Sequence, residues 1–251
     1  MNICIAQTKP FVGDVSANIE AHKRFIKLAS TCNANAIFFP ELSLTGYEPK
    51  LANELATQPT DKRLEVFQDL SDQHTMTIGL GVPTKTASGV RISMIIFQPN
   101  EPYVTYSKQL LHSDELPYFE SGNSQVIVCS ESSKIAPAIC YESLHISHAD
   151  NAVIQGATVY LASVAKAESG VAKAYVHYPM LAKKHRIPVL MSNSIGYCDN
   201  FMSAGKSAVW TKDGKLAGQL DEQNEGIIVF NTETEDVIVK TTVAWSNIET
   251  D

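Results

Sequence analysis

One apolar run near the middle of the chain, residues 135–139, has the length of a β-strand and ends at Cys140. Polar residues and a segment with helical spacing follow at once. A sharp strand-to-helix turn of this kind lifts its side chain out of the sheet edge and is called a nucleophile elbow. A thiol there also lies near a helix N-terminus, where the dipole favours the thiolate. By itself the stretch favours a buried structural cysteine, because free cysteines are often buried and inert.

Strand and helix patterns alternate along the whole chain. The predicted strands cover residues 2–7, 36–40, 77–82, 91–98, 102–106, 125–129, 134–139, 158–162, 188–192, 205–210, 215–218, 226–231 and 236–242. The predicted helices cover residues 16–30, 51–58, 61–73, 143–154 and 171–185. Because several hairpins are mixed in, we expect an α/β layered sandwich with mixed sheets. No repeat, low-complexity tract or linker interrupts the pattern, so residues 1–251 are predicted to form a single domain.

Composition excludes several classes of partner. The formal net charge is −7 and no dense basic run occurs, which disfavours nucleic acid and anionic membranes as partners. No apolar run reaches membrane-spanning length, and residues 1–7 are predicted to be a first strand, not a signal peptide. The five cysteines are odd in number and form no CxxC pair. We therefore expect neither a disulfide framework nor structural zinc, and we expect a cytoplasmic location.

Three predicted strands are each followed by a reactive side chain. Glu41 follows residues 36–40, Lys108 follows the strand that ends near residue 106, and Cys140 ends the run described above. Sites in α/β folds gather at the carboxyl ends of strands, because the loops there converge. A thiol that attacks carbon, a carboxylate that takes its proton and an ammonium that stabilises the oxyanion suit acyl transfer. Spacing alone does not show that the three side chains meet.

Five short motifs stand in a specific order. They are FFPELSLTGY at 38–47, YSKQLL at 106–111, ICYE at 139–142, SNSIG at 192–196 and GKSAV at 205–209. Each alone is weak, but with all five in this order the chain resembles the nitrilase superfamily of carbon–nitrogen hydrolases over nearly its whole length. The resemblance implies a four-layer α-β-β-α sandwich with two mixed β-sheets. It also implies a homodimer or a larger homo-oligomer.

The resemblance also implies roles for individual residues. Cys140 would be the nucleophile that forms a thioester with the acyl part of an amide. Glu41 would be the general base, would pass a proton to the leaving amine and would activate the hydrolytic water. Lys108 and the backbone N–H of Tyr141 would form the oxyanion hole.

A second glutamate often follows the lysine in this superfamily. Glu115, which precedes a Pro-Tyr-Phe-Glu-Ser-Gly segment, matches it best and would orient the lysine or the substrate, although Asp114 is adjacent. This assignment depends on the register of a loop without a clear pattern.

Further candidates surround this set. Tyr47 and Tyr141 either line a substrate pocket or pack in the core. Glu142 either contacts substrate or, as we favour, holds the local backbone. Residues 162–166 leave another strand end and are predicted to form a pocket wall, in which Val164 and Ala165 contact substrate.

The proposed chemistry requires no cofactor and no metal. His145 and His148 are three apart on a predicted helix, and two histidines without a third ligand more often face solvent than bind a metal.

The sequence thus predicts hydrolysis of a carbon–nitrogen bond in a small linear amide, ω-amide or carbamoyl compound. Nitrile hydrolysis, or acyl transfer to an amine through the same cysteine, are the alternatives among enzymes. A catalytically silent binding protein is disfavoured, since it has no chemical reason to keep all three reactive groups. A redox sensor at Cys140 is a further alternative.

Overall fold

Two mixed β-sheets form the centre of the molecule. The computed structural model describes residues 1–58 and 61–241. The first sheet contains β1 (Asn2–Gln7), β2 (Ala36–Phe38), β3 (Thr77–Lys85), β4 (Val90–Gln98), β5 (Glu101–Ser107), β14 (Gly226–Asn231) and β15 (Val237–Thr241), in the spatial order β15-β14-β1-β2-β3-β4-β5. The second contains β6 (Val128–Ser130), β7 (Ser133–Ile139), β8 (Val159–Val164), β9 (Val189–Asn193), β12 (Ala208–Trp210) and β13 (Leu216–Gln219), in the order β13-β12-β9-β8-β7-β6. A separate hairpin joins β10 (Ile195–Cys198) to β11 (Phe201–Ala204).

The inner strands of both sheets are parallel. β1, β2 and β3 pair in parallel in the first sheet, as do β7, β8 and β9 in the second. β3 and β5 both pair antiparallel with β4, so β5 runs in the same direction as β2 and β3. The segments that follow β2 and β5 therefore leave the same edge of the first sheet.

In the described ranges, five α-helices cover the outer faces of the sheets. They are α1 (Val15–Thr31), α2 (Ala52–Leu55), α3 (Glu65–His74), α4 (Ile146–Ile154) and α5 (Glu168–His185). α1 begins where the Asp14 carboxylate accepts a hydrogen bond from the Ala17 N–H at 2.9 Å, an N-cap that satisfies one free backbone donor. In the described part of the chain, no helix is long and apolar enough to cross a membrane.

Three apolar clusters lie between the layers. One joins the two sheets, with Ile5 and Phe38 on one side and Ile135 and Leu161 on the other. A second packs the first sheet against α1 and α3, and a third packs the second sheet against α4 and α5. Three interlayer clusters separate four layers, which confirms the predicted α-β-β-α sandwich with two mixed sheets.

Several predicted element boundaries were wrong. The helix predicted over residues 143–154 begins at Ile146 in the structure, because a 3₁₀ turn over Cys140–Leu144 precedes it. The strand predicted over 205–210 is limited to β12, since Gly205 and Lys206 both have positive φ. The sequence did not predict the β10–β11 hairpin. Thr242, the end of the last predicted strand, lies outside the described residues.

Candidate active site

Glu41 lies in a tight turn just beyond β2. Proline at position 40 offers no N–H for a strand ladder, and Leu42 takes a φ of +51°. The turn lies directly against β3 at Gly81, where a Cβ atom would come within 2.4 Å of the Pro40 carbonyl oxygen. Only glycine permits this approach, so Gly81 allows the Glu41 turn to pack on the sheet.

Lys108 immediately follows β5, and its backbone is held on both sides. Its N–H donates to the Ile92 carbonyl at 2.8 Å, and its carbonyl accepts from the Gly122 N–H at 2.6 Å. A Cβ atom on Gly122 would lie 2.2 Å from the Ser107 carbonyl oxygen, so this contact also requires glycine. The lysine side chain points inward and is completely buried.

Cys140 occupies the sharp turn between β7 and the 3₁₀ turn. Its φ is +48°, which is uncommon for a residue other than glycine and is typical of strained functional turns. The side chain is half-buried, and its Sγ lies 3.7 Å from the Ala165 carbonyl oxygen. The geometry is that of a nucleophile elbow, with the sulfur presented at the end of β7.

Lys108 joins two glutamates in a buried cluster. Its Nζ donates to Glu41 Oε1 at 2.7 Å and to Glu115 Oε1 at 2.6 Å. The Tyr47 hydroxyl also donates to Glu115 Oε1 at 2.9 Å, and the His112 N–H donates to Glu115 Oε2 at 2.7 Å. An ammonium has three donors, so one N–H of Lys108 is left after the two carboxylates are bound.

One carboxylate oxygen in this cluster is free. Within the ranges that the structure describes, Glu41 Oε2 is buried and has no hydrogen-bond partner. Buried polar atoms are normally paired, and an unpaired one at a site is a candidate for a chemical role. This oxygen is available to accept a proton.

Burial and charge shift the titration of the cluster. Burial raises the pKa of Glu41; the Lys108 ammonium opposes this shift and the Glu115 charge adds to it. Burial alone would lower the pKa of Lys108, but the negative charges beside it, Glu41 first, hold it above its usual range. Burial raises the pKa of the Cys140 thiol to about 11, with Glu41 adding to the shift and Lys166 and Lys108 opposing it. Glu41 is therefore a stronger base than an exposed glutamate, and the thiol needs such a base.

Glu142 connects the strand of the cysteine to the loop of the lysine. Its Oε1 accepts from the Tyr106 hydroxyl at 2.6 Å and from the Ile139 N–H at 2.7 Å. Its Oε2 accepts from the N–H groups of Gln109 at 2.6 Å and Leu110 at 3.2 Å. The side chain is completely buried and does not line the pocket, so its position agrees with the favoured backbone-holding role and not with the alternative of substrate contact.

His148 belongs to the same buried network. Its Nε2 lies 2.9 Å from the Tyr106 hydroxyl and its Nδ1 lies 2.8 Å from the Tyr160 hydroxyl. Burial lowers its pKa to about 4, so the ring is neutral near pH 7. The prediction that this histidine faces solvent was wrong, because the helical face that carries it packs on the second sheet.

A pocket of about 300 Å³ opens above the cysteine. It is lined by Tyr47, His112, Asp114, Glu115, Cys140, Tyr141, Leu144, Ala165, Lys166, Ala167, Ser169, Gly170, Lys173 and Phe201. This volume is at the lower end of the range for small-molecule sites.

The pocket contains most of the predicted substrate-contact residues. Tyr47, Tyr141 and Ala165 line it, but Val164 does not. Side chains alternate across a strand, and Val164 points to the opposite face, where it packs in the cluster against α4 and α5.

Glu115 and Asp114 take different positions. Glu115 is buried on Lys108, whereas Asp114 is exposed at the pocket and accepts a hydrogen bond from His112 Nδ1 at 2.5 Å. The structure thus places Glu115, the residue favoured on the sequence, on the lysine.

Lys166 is a site residue that the sequence analysis included only in the predicted pocket wall of residues 162–166, without a role of its own. Its Nζ lies 3.7 Å from Cys140 Sγ and 3.4 Å from the Cys140 carbonyl oxygen. The available signal was its position, since it is a charged residue that comes soon after a strand, as Glu41 does.

The volume of a cavity does not identify the site. A larger cavity of about 630 Å³ lies between α3 and the strands β4 and β5 and is lined by residues that include Gln68, Phe97 and Tyr103. It shares no lining residue with the pocket above Cys140.

The site thus combines a four-layer sandwich, a cysteine elbow at the end of an inner strand and a buried Glu41–Lys108–Glu115 cluster. The chain belongs to the carbon–nitrogen hydrolase family, whose sequence model matches residues 2–238.

Two relatives illustrate the range of the family. The glutamine-dependent NAD(+) synthetase of Acinetobacter baylyi is 26% identical over 86% of this chain, and the chain spans 41% of that protein's length. A probable nitrilase of Schizosaccharomyces pombe is 24% identical over 94% of this chain and 89% of its own length.

Solved structures of an amidase from Nesterenkonia sp. AN1 share the fold. One has a TM-score of 0.84 at 18% identity, with 92% of each chain covered. In another form of that amidase, acrylamide has added to the active-site cysteine, and a third form is a complex with butyramide.

Proposed function

We propose that the protein hydrolyses the carbon–nitrogen bond of a small linear amide, ω-amide or carbamoyl compound through a thioester on Cys140. The observation that carries the proposal is the buried Glu41–Lys108–Glu115 cluster beside a cysteine elbow at a small pocket. A base, an oxyanion donor and a nucleophile are the parts that acyl transfer needs.

The first half of the reaction forms the acyl-enzyme. Glu41 Oε2 accepts the thiol proton as Cys140 Sγ attacks the carbonyl carbon. The free N–H of Lys108 and the backbone N–H of Tyr141, in the first turn after the elbow, stabilise the resulting oxyanion. The Glu41 carboxyl then gives the proton to the leaving nitrogen, the carbon–nitrogen bond breaks, and ammonia or an amine departs.

The second half restores the enzyme. Glu41, again ionised, accepts a proton from a water molecule as that water attacks the thioester carbon. The same two donors stabilise the second oxyanion, the carbon–sulfur bond breaks to release the acid, and the Glu41 carboxyl returns its proton to the departing Cys140 sulfur. Glu115 keeps Lys108 in position through both halves, because it binds the ammonium at 2.6 Å and is itself held by Tyr47 at 2.9 Å.

The pocket and the relatives support a small amide as the substrate. A volume of about 300 Å³ admits a short acyl chain but not a polypeptide. The Nesterenkonia amidase binds butyramide, and the NAD(+) synthetases are described as glutamine-dependent. Short aliphatic amides and the side-chain amide of glutamine are therefore the first compounds to test.

The decisive experiment measures ammonia release from a panel of small amides, ω-amides, carbamoyl compounds and nitriles. We expect the wild type to release ammonia from at least one class and Cys140→Ala to release none, because the variant has no nucleophile. Cys129→Ala, which removes an exposed cysteine outside the pocket, is the matched control and should keep full activity.

Turnover by Cys140→Ala at the wild-type rate would overturn the proposal. Response to nitriles alone would replace amide hydrolysis by nitrile hydrolysis. Formation of a hydroxamate in the presence of hydroxylamine, without release of the free acid in its absence, would favour acyl transfer. Reversible oxidation of Cys140 by mild peroxide without any amide turnover would favour the redox sensor.

A further inference from the structure

Lys166 is a buried cation without an acidic partner. Only 5% of its surface is exposed, and within the described part of the chain it forms no salt bridge. Its Nζ has two acceptors at hand, the Cys140 carbonyl oxygen at 3.4 Å and the Cys140 sulfur at 3.7 Å. Buried lysines are normally paired with a carboxylate, so this arrangement needs an explanation.

The backbone around Lys166 is fixed by several hydrogen bonds. Its N–H donates to Asn193 Oδ1 at 2.9 Å. Its carbonyl accepts from Asn193 Nδ2 at 3.2 Å, from the Ser203 hydroxyl at 3.3 Å and from the Ala204 N–H at 2.8 Å. The β10–β11 hairpin and the end of β9 therefore hold the residue in place, and the ammonium is presented to the sulfur by a rigid support.

The two lysines of the site are in different electrostatic situations. Lys108 binds both Glu41 and Glu115, so two carboxylates already neutralise its charge. Lys166 has no such partner among the described residues, and its charge is free to act on sulfur. When the thiol proton moves to Glu41, the new negative charge forms next to this uncompensated cation.

We propose that Lys166 is a catalytic residue that stabilises the thiolate of Cys140, both when the sulfur attacks and when it leaves the thioester. The proposal rests on Cys140 being the nucleophile of the proposed function. The proton passes from Sγ to Glu41 in the first step. Lys166 itself forms and breaks no covalent bond and is neither oxidised nor reduced.

The directions of the pKa shifts agree with this geometry. The Lys166 charge acts to lower the pKa of Cys140, against burial and Glu41, which raise it. Burial alone would lower the pKa of Lys166, and the negative charge of the Cys140 thiolate holds it above its usual range. The other titratable groups that face this pair are Glu41, Tyr47, Lys108, Glu115, His177 and Tyr178. An opposite charge at this distance typically shifts a pKa by about one to three units.

The test measures thiolate reactivity without any amide substrate. Methyl methanethiosulfonate, a small neutral reagent, transfers its methylthio group to a thiolate and releases methanesulfinate. Its rate of reaction with Cys140 is followed by mass spectrometry over a range of pH in the wild type, Lys166→Met and Lys166→Gln. The exposed Cys129 of the same molecules is an internal reference.

We expect both variants to react at least about tenfold more slowly at Cys140 at a given pH, with an apparent pKa raised by about one unit or more. Lys166→Arg, which keeps the charge, should retain most of the reactivity. Lys27→Met, which removes an exposed lysine on α1, should leave Cys140 unchanged. Cys129 should react at the same rate in every variant.

Equal reactivity of Cys140 in the wild type, Lys166→Met and Lys166→Gln would overturn the proposal. A second result would also overturn it: the Lys166 variants label Cys140 with an unchanged pH profile and show a raised KM for acidic substrates alone. Lys166 would then be a ligand of a substrate carboxylate. The thiol reaction needs no amide turnover, so the two proposals are tested separately. Slower labelling of Cys140 in the Lys166 variants of a protein that hydrolyses no compound of the panel would support the role of Lys166 and contradict the proposed hydrolase function.

Discussion

Glu41 has two oxygen atoms with different surroundings. Oε1 is ion-paired with Lys108 at 2.7 Å, whereas Oε2 has no hydrogen-bond partner among the residues described. Burial raises the pKa of the carboxyl above the usual 4.5 of a glutamate, in spite of the lysine. A raised pKa strengthens the base, but it also means that the carboxylate is lost to protonation at a higher pH.

We therefore expect kcat/KM for a neutral amide to fall on the acid side with an apparent pKa above 4.5. The sign follows because the ionised carboxylate is the active form: activity is present above the raised pKa and is lost as pH falls through it. The measured value belongs to the coupled Glu41–Lys108–Glu115 cluster and not to one residue.

A pH–rate profile with the best substrate of the panel checks this prediction, and near-UV circular dichroism at each pH shows that the fold persists. An acid limb at or below 4.5 would contradict it. Glu41→Gln, of nearly the same size, should lose turnover by about 10²–10⁴-fold at every pH.

At the scale of the element, Glu142 joins two separate segments. Its carboxylate accepts hydrogen bonds from β7 just before the nucleophile and from the loop just after Lys108. These segments belong to different sheets, and the position of the lysine relative to the cysteine depends on this connection.

We expect Glu142→Gln to lower kcat by about 10–100-fold while KM changes little. An amide has one acceptor oxygen where the carboxylate has two, so either the Tyr106 and Ile139 donors or the Gln109 and Leu110 donors lose their acceptor, and lost hydrogen bonds to a charged group typically cost about 1.5–3 kcal/mol each. Steady-state kinetics on the best panel substrate makes the measurement. Glu101→Gln, at an exposed position of β5, is the control and should behave as wild type.

A raised KM with unchanged kcat would contradict the positioning role of Glu142 and favour the alternative, contact with substrate. The glycines act at the same scale. Gly81 of β3 is the point where the Glu41 turn crosses the strand, because a Cβ atom there would collide with the turn backbone.

At the scale of the whole molecule, the apolar cluster between the two sheets holds the site together. Glu41 and Lys108 come from the first sheet and Cys140 and Lys166 from the second, so the interface between the sheets sets their distances. Residues such as Leu161 are completely buried there.

We expect Leu161→Ala to lower the free energy of unfolding by about 2–5 kcal/mol, because it leaves a cavity between the sheets. Urea denaturation followed by circular dichroism measures the change, and one transition is expected if residues 1–251 form one domain. Ile154→Ala, at a position that is 83% exposed, should change stability by less than about 0.5 kcal/mol. Two separate transitions would contradict the single domain.

The homo-oligomer and the cytoplasmic location remain predictions.

The sequence predicted those features that depend on local pattern. Apolar runs of strand length and helical spacing depend on neighbouring residues, so β1 and β14 were predicted at their observed bounds and the alternation pointed to layered sheets. The reactive residues at strand ends stood out for the same reason, because Glu41 and Cys140 follow apolar runs and Lys108 follows a predicted strand.

Only the tertiary structure decided how distant segments meet. Val164 and Ala165 are neighbours in sequence, yet one packs on the helices and the other lines the pocket, because the sheet has two faces. Glu142 proved to bind backbone donors of a loop more than thirty residues away, and Lys166 proved to face a sulfur 26 positions earlier. Such contacts depend on burial and on the packing of two sheets, which no local pattern contains.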